Sequence, residues 1–275
     1  MSPAGRSRLF DQEWAKGAAI ATVSTVVFFG VAGALIVASP NWPKVQQQFF
    51  NGGDFSRSFP DVASGFWLNI QLFLAAMVTI PIVALLVAVM RSLRGPGFFP
   101  IRALAVIYTD IFRGIPLVLL ILLLGFGLPA LDIGGLPRSA IFWGLVALTL
   151  SYAAYTAEIY RSGIDAVPES QRASARALGL TQAQTLRFAI LPQAIRNVVP
   201  ALMNTVVSLQ KDVALLSILG IREAVREAEI STARTFNYTS YVVATLLFLA
   251  VSVPLTRLVD WYTARDRMQR SQTLA

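Results

Sequence analysis

Apolar residues gather into six long blocks along the chain, at roughly 18–39, 65–90, 103–128, 139–158, 193–220 and 238–259. Each block is long enough to cross about 30 Å of hydrocarbon as a helix. A helix satisfies its backbone groups internally, as a bilayer demands, so the expected fold is all-α: a polytopic membrane protein with six transmembrane helices. Ser151, Tyr152, Tyr155 and Thr156 soften the fourth block, and Asn197, Asn204, Ser208 and Gln210 soften the fifth. Such positions predict bundle helices with one face turned to a polar interior. The stretch 40–63 is turn-rich and too short to be a domain. It predicts an ordered or semi-ordered outer loop.

Composition agrees with the blocks. Of 275 residues 55% are hydrophobic and 14% charged, with mean hydropathy +0.61, too little charge to cover a soluble surface. Cysteine and histidine are both absent. This excludes disulfides and thiolate metal sites, and removes the commonest metal ligand and the usual general base. The net charge of +8 would suit nucleic acid, but in a chain of spans it points to arginine-rich cytoplasmic loops, so no nucleic-acid partner is expected. With the N-terminus inside, 15 of the 23 lysines and arginines fall on cytoplasmic segments and 6 on outer ones, with Arg113 and Lys211 inside spans. The cytoplasmic set includes Arg6, Arg8, Arg91, Arg94, Arg102, Arg267 and Arg270. Both termini are therefore expected in the cytoplasm of a cell-membrane protein. The first block exceeds a normal signal core, and Val37-Ala38-Ser39 is a poor cleavage site, so this helix is expected to be retained.

About 34 residues separate the fourth and fifth blocks on the cytoplasmic side. Pro168 and Glu169 suit the first turn of a helix. That helix runs through QRASARAL to Gly179, a left-handed cap. Thr181 and Gln184 form a capping-box pattern that opens a second helix, and Leu191-Pro192 is expected to end it and turn the chain into the fifth span. Ala173, Ser174, Ala175 and Ala177 let another surface approach the backbone closely. Arg172, Arg176 and Arg187 offer charge to an acidic partner. A helix pair lying on anionic lipid is the competing reading, but it should carry large apolar anchors, and alanines favour protein docking.

The run from Ala157 to Gly220, together with FRGIP (112–116), YTAEIYRSGI (155–164), LPQA (191–194) and QKD (210–212), resembles the permease subunits of ABC importers of the polar amino acid family. Their cytoplasmic signature is Glu-Ala-Ala, three residues, Gly, nine residues, Ile, one residue, Leu-Pro. Gly179, Leu191 and Pro192 match it. Ala173, Ser174 and Ala175 stand at the Glu-Ala-Ala positions, Ala189 at the isoleucine, and Ser170 replaces a glycine often found there. The resemblance covers about 64–262 and implies a five-helix permease core with coupling helices at 165–192, preceded by a segment 1–63 that adds one helix and followed by a tail 263–275. It implies an ATPase-coupling surface at Pro168, Ala173, Ser174, Ala175, Arg176, Gly179, Leu191 and Pro192. It also implies two ATP-binding subunits, a second or related permease, and an extracellular or periplasmic substrate-binding protein.

Gly-Lys occurs nowhere in the chain, so a phosphate-binding loop is missing. No cofactor and no enzymatic activity are expected here: ATP and Mg would sit on the partner ATPase. Charges inside spans are costly and mark candidate sites. The substrate-path candidates are Arg113, Glu158, Lys211 and Asp212. Arg113 also suits an ion pair with Asp110 on the same helical face, and Glu158 an ordinary pair with Arg161. Gly114 and Pro116 should loosen or kink the third span, as a gate or bend. Lys211 and Asp212 are adjacent and point apart, so each needs its own partner or water. The segment 221–236 predicts a short amphipathic outer helix. The functional expectation is the translocation subunit of an ATP-driven amino acid importer. Its rivals are a self-sufficient secondary carrier and a membrane scaffold that recruits a soluble partner.

Overall fold

In the computed structural model, which describes residues 3–93 and 95–273, the regular elements are all helical. Arg94 lies outside the described residues, as do the side chains of Arg6, Arg8, Arg267 and Arg270. The chain divides into two compact units, residues 1–52 and 53–275.

The first unit contains helix α1 (Pro3–Val37) and the short α2 (Trp42–Phe49). The Lys16–Val37 portion has 22 residues, a mean hydropathy of 2.3, and no part of it buried by protein. It is apolar on every side, which suits a helix surrounded by lipid. α2 opens with Pro43 in its first turn, where the missing N–H costs nothing. The predicted loop 40–63 is therefore partly helical, and its second half opens the next helix.

All but the first residue of α3 (Gly52–Ser92) belongs to the second unit, and its 41 residues span about 61 Å at the helical rise, twice the hydrocarbon thickness. The third predicted span is two helices. α4 (Phe99–Gly114) stops at Gly114, Ile115 is extended, and α5 (Leu117–Leu122) leaves at 105°. Pro116 explains the break, because it disfavours helical geometry at Ile115 and has no N–H to donate. α5 continues through a wide π-helical turn (Leu123–Gly127) into α6 (Leu128–Ala130). With the broken pair counted as one span, the described residues hold six stretches long and apolar enough to cross a membrane.

α7 (Ala140–Asp165) is the central helix, with Ala147, Leu148, Ala153, Ala154 and Ala157 fully buried. Its N-terminus is capped by Ser139, whose Oγ accepts the Phe142 N–H at 3.3 Å. α8 (Glu169–Ala177) and α9 (Gln182–Gln184) follow. The helix expected to end at Leu191-Pro192 does not end there. Residues Thr185–Ile190 form a π-helical turn that leads directly into α10 (Leu191–Asp212). The wider turn makes room for a proline ring that would otherwise press on the carbonyl four residues back. α10 tightens into a 3-10 stretch (Val213–Leu219), turns at Gly220, and is followed by α11 (Ala224–Thr235) and α12 (Thr239–Thr273).

α7 and α10 pack closely. A Cβ on Gly163 would lie 2.0 Å from Val198 Cγ1, so only glycine permits this approach. Leu72, Ile80, Leu120, Ile121, Leu209 and Leu216 close the main core around them. A second cluster joins α3, α11 and α12 through Val62, Phe66, Ala224, Ala228 and Val243. A buried polar staple reinforces it. Asn69 Nδ2 donates to Glu223 Oε2 at 2.9 Å, Asn69 Oδ1 accepts from the Ala224 N–H at 3.1 Å, and Glu223 Oε1 accepts from the Arg226 N–H at 2.8 Å. Burial pushes the Glu223 carboxyl above its ordinary value.

Candidate functional site

Where α4 breaks from α5, the ends of the two helices and the polar faces of α7 and α10 enclose a cavity of about 770 Å³. Its wall carries Arg113, Gly114, Ile115, Pro116 and Leu117 from the break. α7 adds Ser151, Tyr152, Tyr155, Glu158, Ile159 and Ser162, and α10 adds Asn204, Thr205, Ser208 and Asp212. The break itself is stabilised from α7: Tyr155 Oη donates at 3.0 Å to the Arg113 carbonyl, which lost its helical partner at the helix end.

Three of the four path candidates meet here. Asp212 Oδ2 accepts a 2.6 Å hydrogen bond from Tyr152 Oη, and no cation forms a salt bridge with it among the described residues. Glu158 is more heavily engaged than a helix-end pair with Arg161 would be. Its Oε1 takes two hydrogen bonds from Arg161, through Nε at 3.0 Å and through a terminal nitrogen, while its Oε2 accepts from Arg91 at 2.7 Å. Arg113 sits 3.9 Å from that same Oε2 and places its guanidinium 5.8 Å from the Tyr155 ring centroid, within cation–π range. The pair of Arg113 with Asp110 does not form among the described residues. Asp110 is exposed and does not line the cavity, whereas the Arg113 side chain lies beside Glu158 and Tyr155 of α7. Lys211 is exposed and is not on the cavity wall. One residue's rotation separates it from Asp212, and packing turned the aspartate inward.

The sequence singled out Ser151, Tyr152, Tyr155, Asn204 and Ser208 as polar interior positions, and all five line the cavity. Gln210 does not. Its Oε1 accepts from Ser252 Oγ at 2.5 Å and ties α10 to α12. Thr156 is buried with its hydroxyl unpartnered. Arg91 was missed as a contributor, since its place at the end of α3 made it one more loop arginine. The periodicity of α3 carried no signal that it turns back onto Glu158.

The predicted coupling residues form a second, separate feature. Pro168 is the N-cap rather than the first helical residue, and α8 begins at Glu169. Gly179 has φ +82°, the left-handed region expected of it, and its N–H bonds the Arg176 carbonyl at 2.9 Å. Thr181 and Gln184 make the full reciprocal capping box. Ala173 and Ser174 are exposed, and so are Leu191 and Pro192, but Ala175 is buried and cannot be met by a partner. Its carbonyl accepts the Leu180 N–H at 3.3 Å. Arg176 pairs with Glu169 at 3.1 Å, and Arg172 reaches back to the Ile164 carbonyl at 2.8 Å. Val167, Ile190 and Ala194 bury a small cluster against Ile164, which joins the segment to the ends of α7 and α10. Leu178, 82% exposed beside Gly179, is the largest apolar side chain presented outward on α8 and its cap.

Residues 96–267 match the family described as binding-protein-dependent transport system inner membrane component. The chain is 34% identical over 206 residues to the arginine transport system permease protein ArtQ of Bacillus subtilis (strain 168), covering 74% of this chain and 92% of that one. It is 37% identical over 138 residues to the putative glutamine transport system permease protein GlnP of Rickettsia conorii, covering 50% of this chain and 62% of that one. Among solved structures, an amino acid ABC transporter crystallised with histidines superposes with a TM-score of 0.68 at 31% identity, over 75% of this chain and 94% of that chain. The MetNI methionine ABC transporter shares the fold, with a TM-score of 0.59 at 18% identity over 75% of this chain and 96% of that one.

Proposed function

The chain belongs to the family of inner membrane components of binding-protein-dependent transport systems, and from that premise we propose that its cavity is the translocation path of an ATP-driven amino acid importer. The observation that carries this reading is the charge arrangement on the wall. Among the described residues, Arg113 from α4 presents a cation with no side-chain hydrogen bond to an acceptor, and Asp212 from α10 presents a carboxylate held only by a phenol. An amino acid zwitterion needs one partner of each sign. Glu158, saturated by Arg91 and Arg161, contributes structure rather than a free charge. Ser151, Asn204, Thr205 and Ser208 supply neutral hydrogen-bonding capacity for the remainder of the substrate.

The chain carries no phosphate-binding loop, and hydrolysis takes place on two separate ATP-binding subunits that hold ATP and Mg. These subunits grip α8, Gly179 and the Leu178 side chain, with Ala173 and Ser174 allowing close approach. A second copy or a related permease completes the membrane unit, and an extracellular or periplasmic binding protein delivers substrate. Both termini lie in the cytoplasm, the side that collects most of the arginines. Closure of the ATPase pair draws the α8 segments together. The spans then change state because ATP and loaded binding protein favour one arrangement over the other.

The test is reconstitution of the chain with its ATPase in proteoliposomes, with ATP on one face and binding protein on the other. Amino acid uptake that requires ATP hydrolysis is the expected result. Uptake by this chain alone, driven by an ion gradient, would instead establish a secondary carrier, and absence of any uptake with a bound ATPase would leave a scaffold.

A further inference from the structure

Arg91 does not touch the cavity, yet it competes for the atom that would otherwise capture the cavity's arginine. Arg161 fills Glu158 Oε1. The remaining oxygen, Oε2, lies 2.7 Å from an Arg91 terminal nitrogen and 3.9 Å from an Arg113 terminal nitrogen. The first distance is a strong charge-assisted hydrogen bond, and the second is beyond hydrogen-bond range. The same Arg91 nitrogen also reaches Thr109 Oγ1 at 3.3 Å, one turn before Arg113 on α4, so the guanidinium is anchored between α4 and α7. Arg113 is left resting over the Tyr155 ring, with 40% of its side chain exposed.

We infer that Arg91 is a positioning residue which, by occupying Glu158 Oε2, keeps Arg113 uncommitted and available to a carboxylate entering the cavity. The inference rests on the proposed role of Arg113 as the partner of a substrate carboxylate. Two cations cannot both share one oxygen at close range without repulsion. Loss of Arg91 therefore lets Arg113 close the gap of about 1 Å to hydrogen-bond range and become a fixed ion pair with Glu158. A substrate carboxylate would then have to displace Glu158 instead of meeting an open guanidinium.

Phenylglyoxal labelling of Arg113 tests this in the purified permease–ATPase complex, read by peptide mass spectrometry in wild type, R91Q and R91K. A guanidinium engaged by a carboxylate reacts more slowly, so R91Q should label Arg113 about fivefold more slowly, while R91K, which retains the charge, stays near the wild-type rate. Equal or faster labelling in R91Q overturns the inference. Loss of the assembled complex in both variants also overturns it, since Arg91 would then be an element of the fold. L-arginine and L-glutamine, added separately, serve as protecting carboxylates. If R91Q slows labelling but neither amino acid protects wild-type Arg113, the positioning role of Arg91 stands and the carboxylate role of Arg113 falls.

Discussion

The coupling segment and the cavity share the same two long helices, α7 and α10, but they are held by contacts of different range. In the coupling segment, Gly179 bonds Arg176, Thr181 bonds Gln184 and Arg176 pairs with Glu169, all within seven residues of one another. In and behind the cavity wall, Tyr152 and Asp212 are 60 residues apart, Tyr155 and Arg113 are 42 apart, and Glu158 is held by Arg91 from 67 residues away. The first region keeps its shape through bonds within a short stretch of chain, and Val167, Ile190 and Ala194 join it to the ends of α7 and α10. The second exists only while α4, α7 and α10 hold their mutual positions, so a shift among them must remake it. The proposed function uses this division: local bonds shape the segment proposed to meet the ATPase, and long-range bonds tie the cavity to the arrangement of the bundle.

Both regions depend on one helix contact, and its loss has the largest effect. Gly163→Val places two methyl groups where Val198 already lies, at a cost of about 3 kcal/mol or more, and should abolish uptake while lowering the melting temperature of the complex. A variant that melts like wild type would mean α7 and α10 are not in this contact. Next comes Asp212→Asn, which removes the cavity carboxylate that accepts from Tyr152 and pairs with no cation among the described residues. Uptake should fall on the order of 10- to 100-fold with the complex still assembled, and Tyr152→Phe should cost less. Undiminished uptake in Asp212→Asn would take that residue out of the path.

The local region answers differently. Gly179→Val forces a β-branched residue into left-handed geometry at a cost of about 1–2 kcal/mol. It should leave membrane insertion and the cavity intact while uptake separates from ATP hydrolysis; ATP-driven uptake at the wild-type rate would count against the docking turn. Thr181→Ala removes one cap and should cost about 1 kcal/mol, visible only as a small drop in melting temperature. The smallest expected effect is a pH dependence at the α3 and α11 staple. Burial raises the Glu223 carboxyl above its ordinary 4.5, and it faces Asn69, Glu227 and the Val225 and Arg226 amides. A raised carboxyl contributes stability in full below its unfolded value and loses it as pH rises through the folded one. Melting curves of wild type should therefore fall slightly as pH rises from that value, and those of Glu223→Gln should not.

Much of this was legible because the signals are local. Length and hydropathy set the spans, Pro116 set the break in the third one, and proline, glycine and the capping box set the α8 and α9 corner. Where a signal was local but its consequence was not, expectation and structure part. Pro192 was expected to stop a helix, yet a π-helical turn absorbs it and carries α9 into α10. Asp110 was well spaced to pair with Arg113, yet Arg113 turns towards α7.

By itself, then, the sequence determined which segments cross the membrane, where the chain turns between α8 and α9, and that α7 and α10 each carry a polar face. Tertiary structure alone decided which charges share an atom. It put Asp212 on the cavity wall and Lys211 off it, brought Arg91 onto Glu158, and set Arg113 3.9 Å from the same carboxylate. The reason is rotational. Successive residues on a helix point about 100° apart, and which of them faces inward is set by how neighbouring helices pack, not by anything written within one turn of the chain.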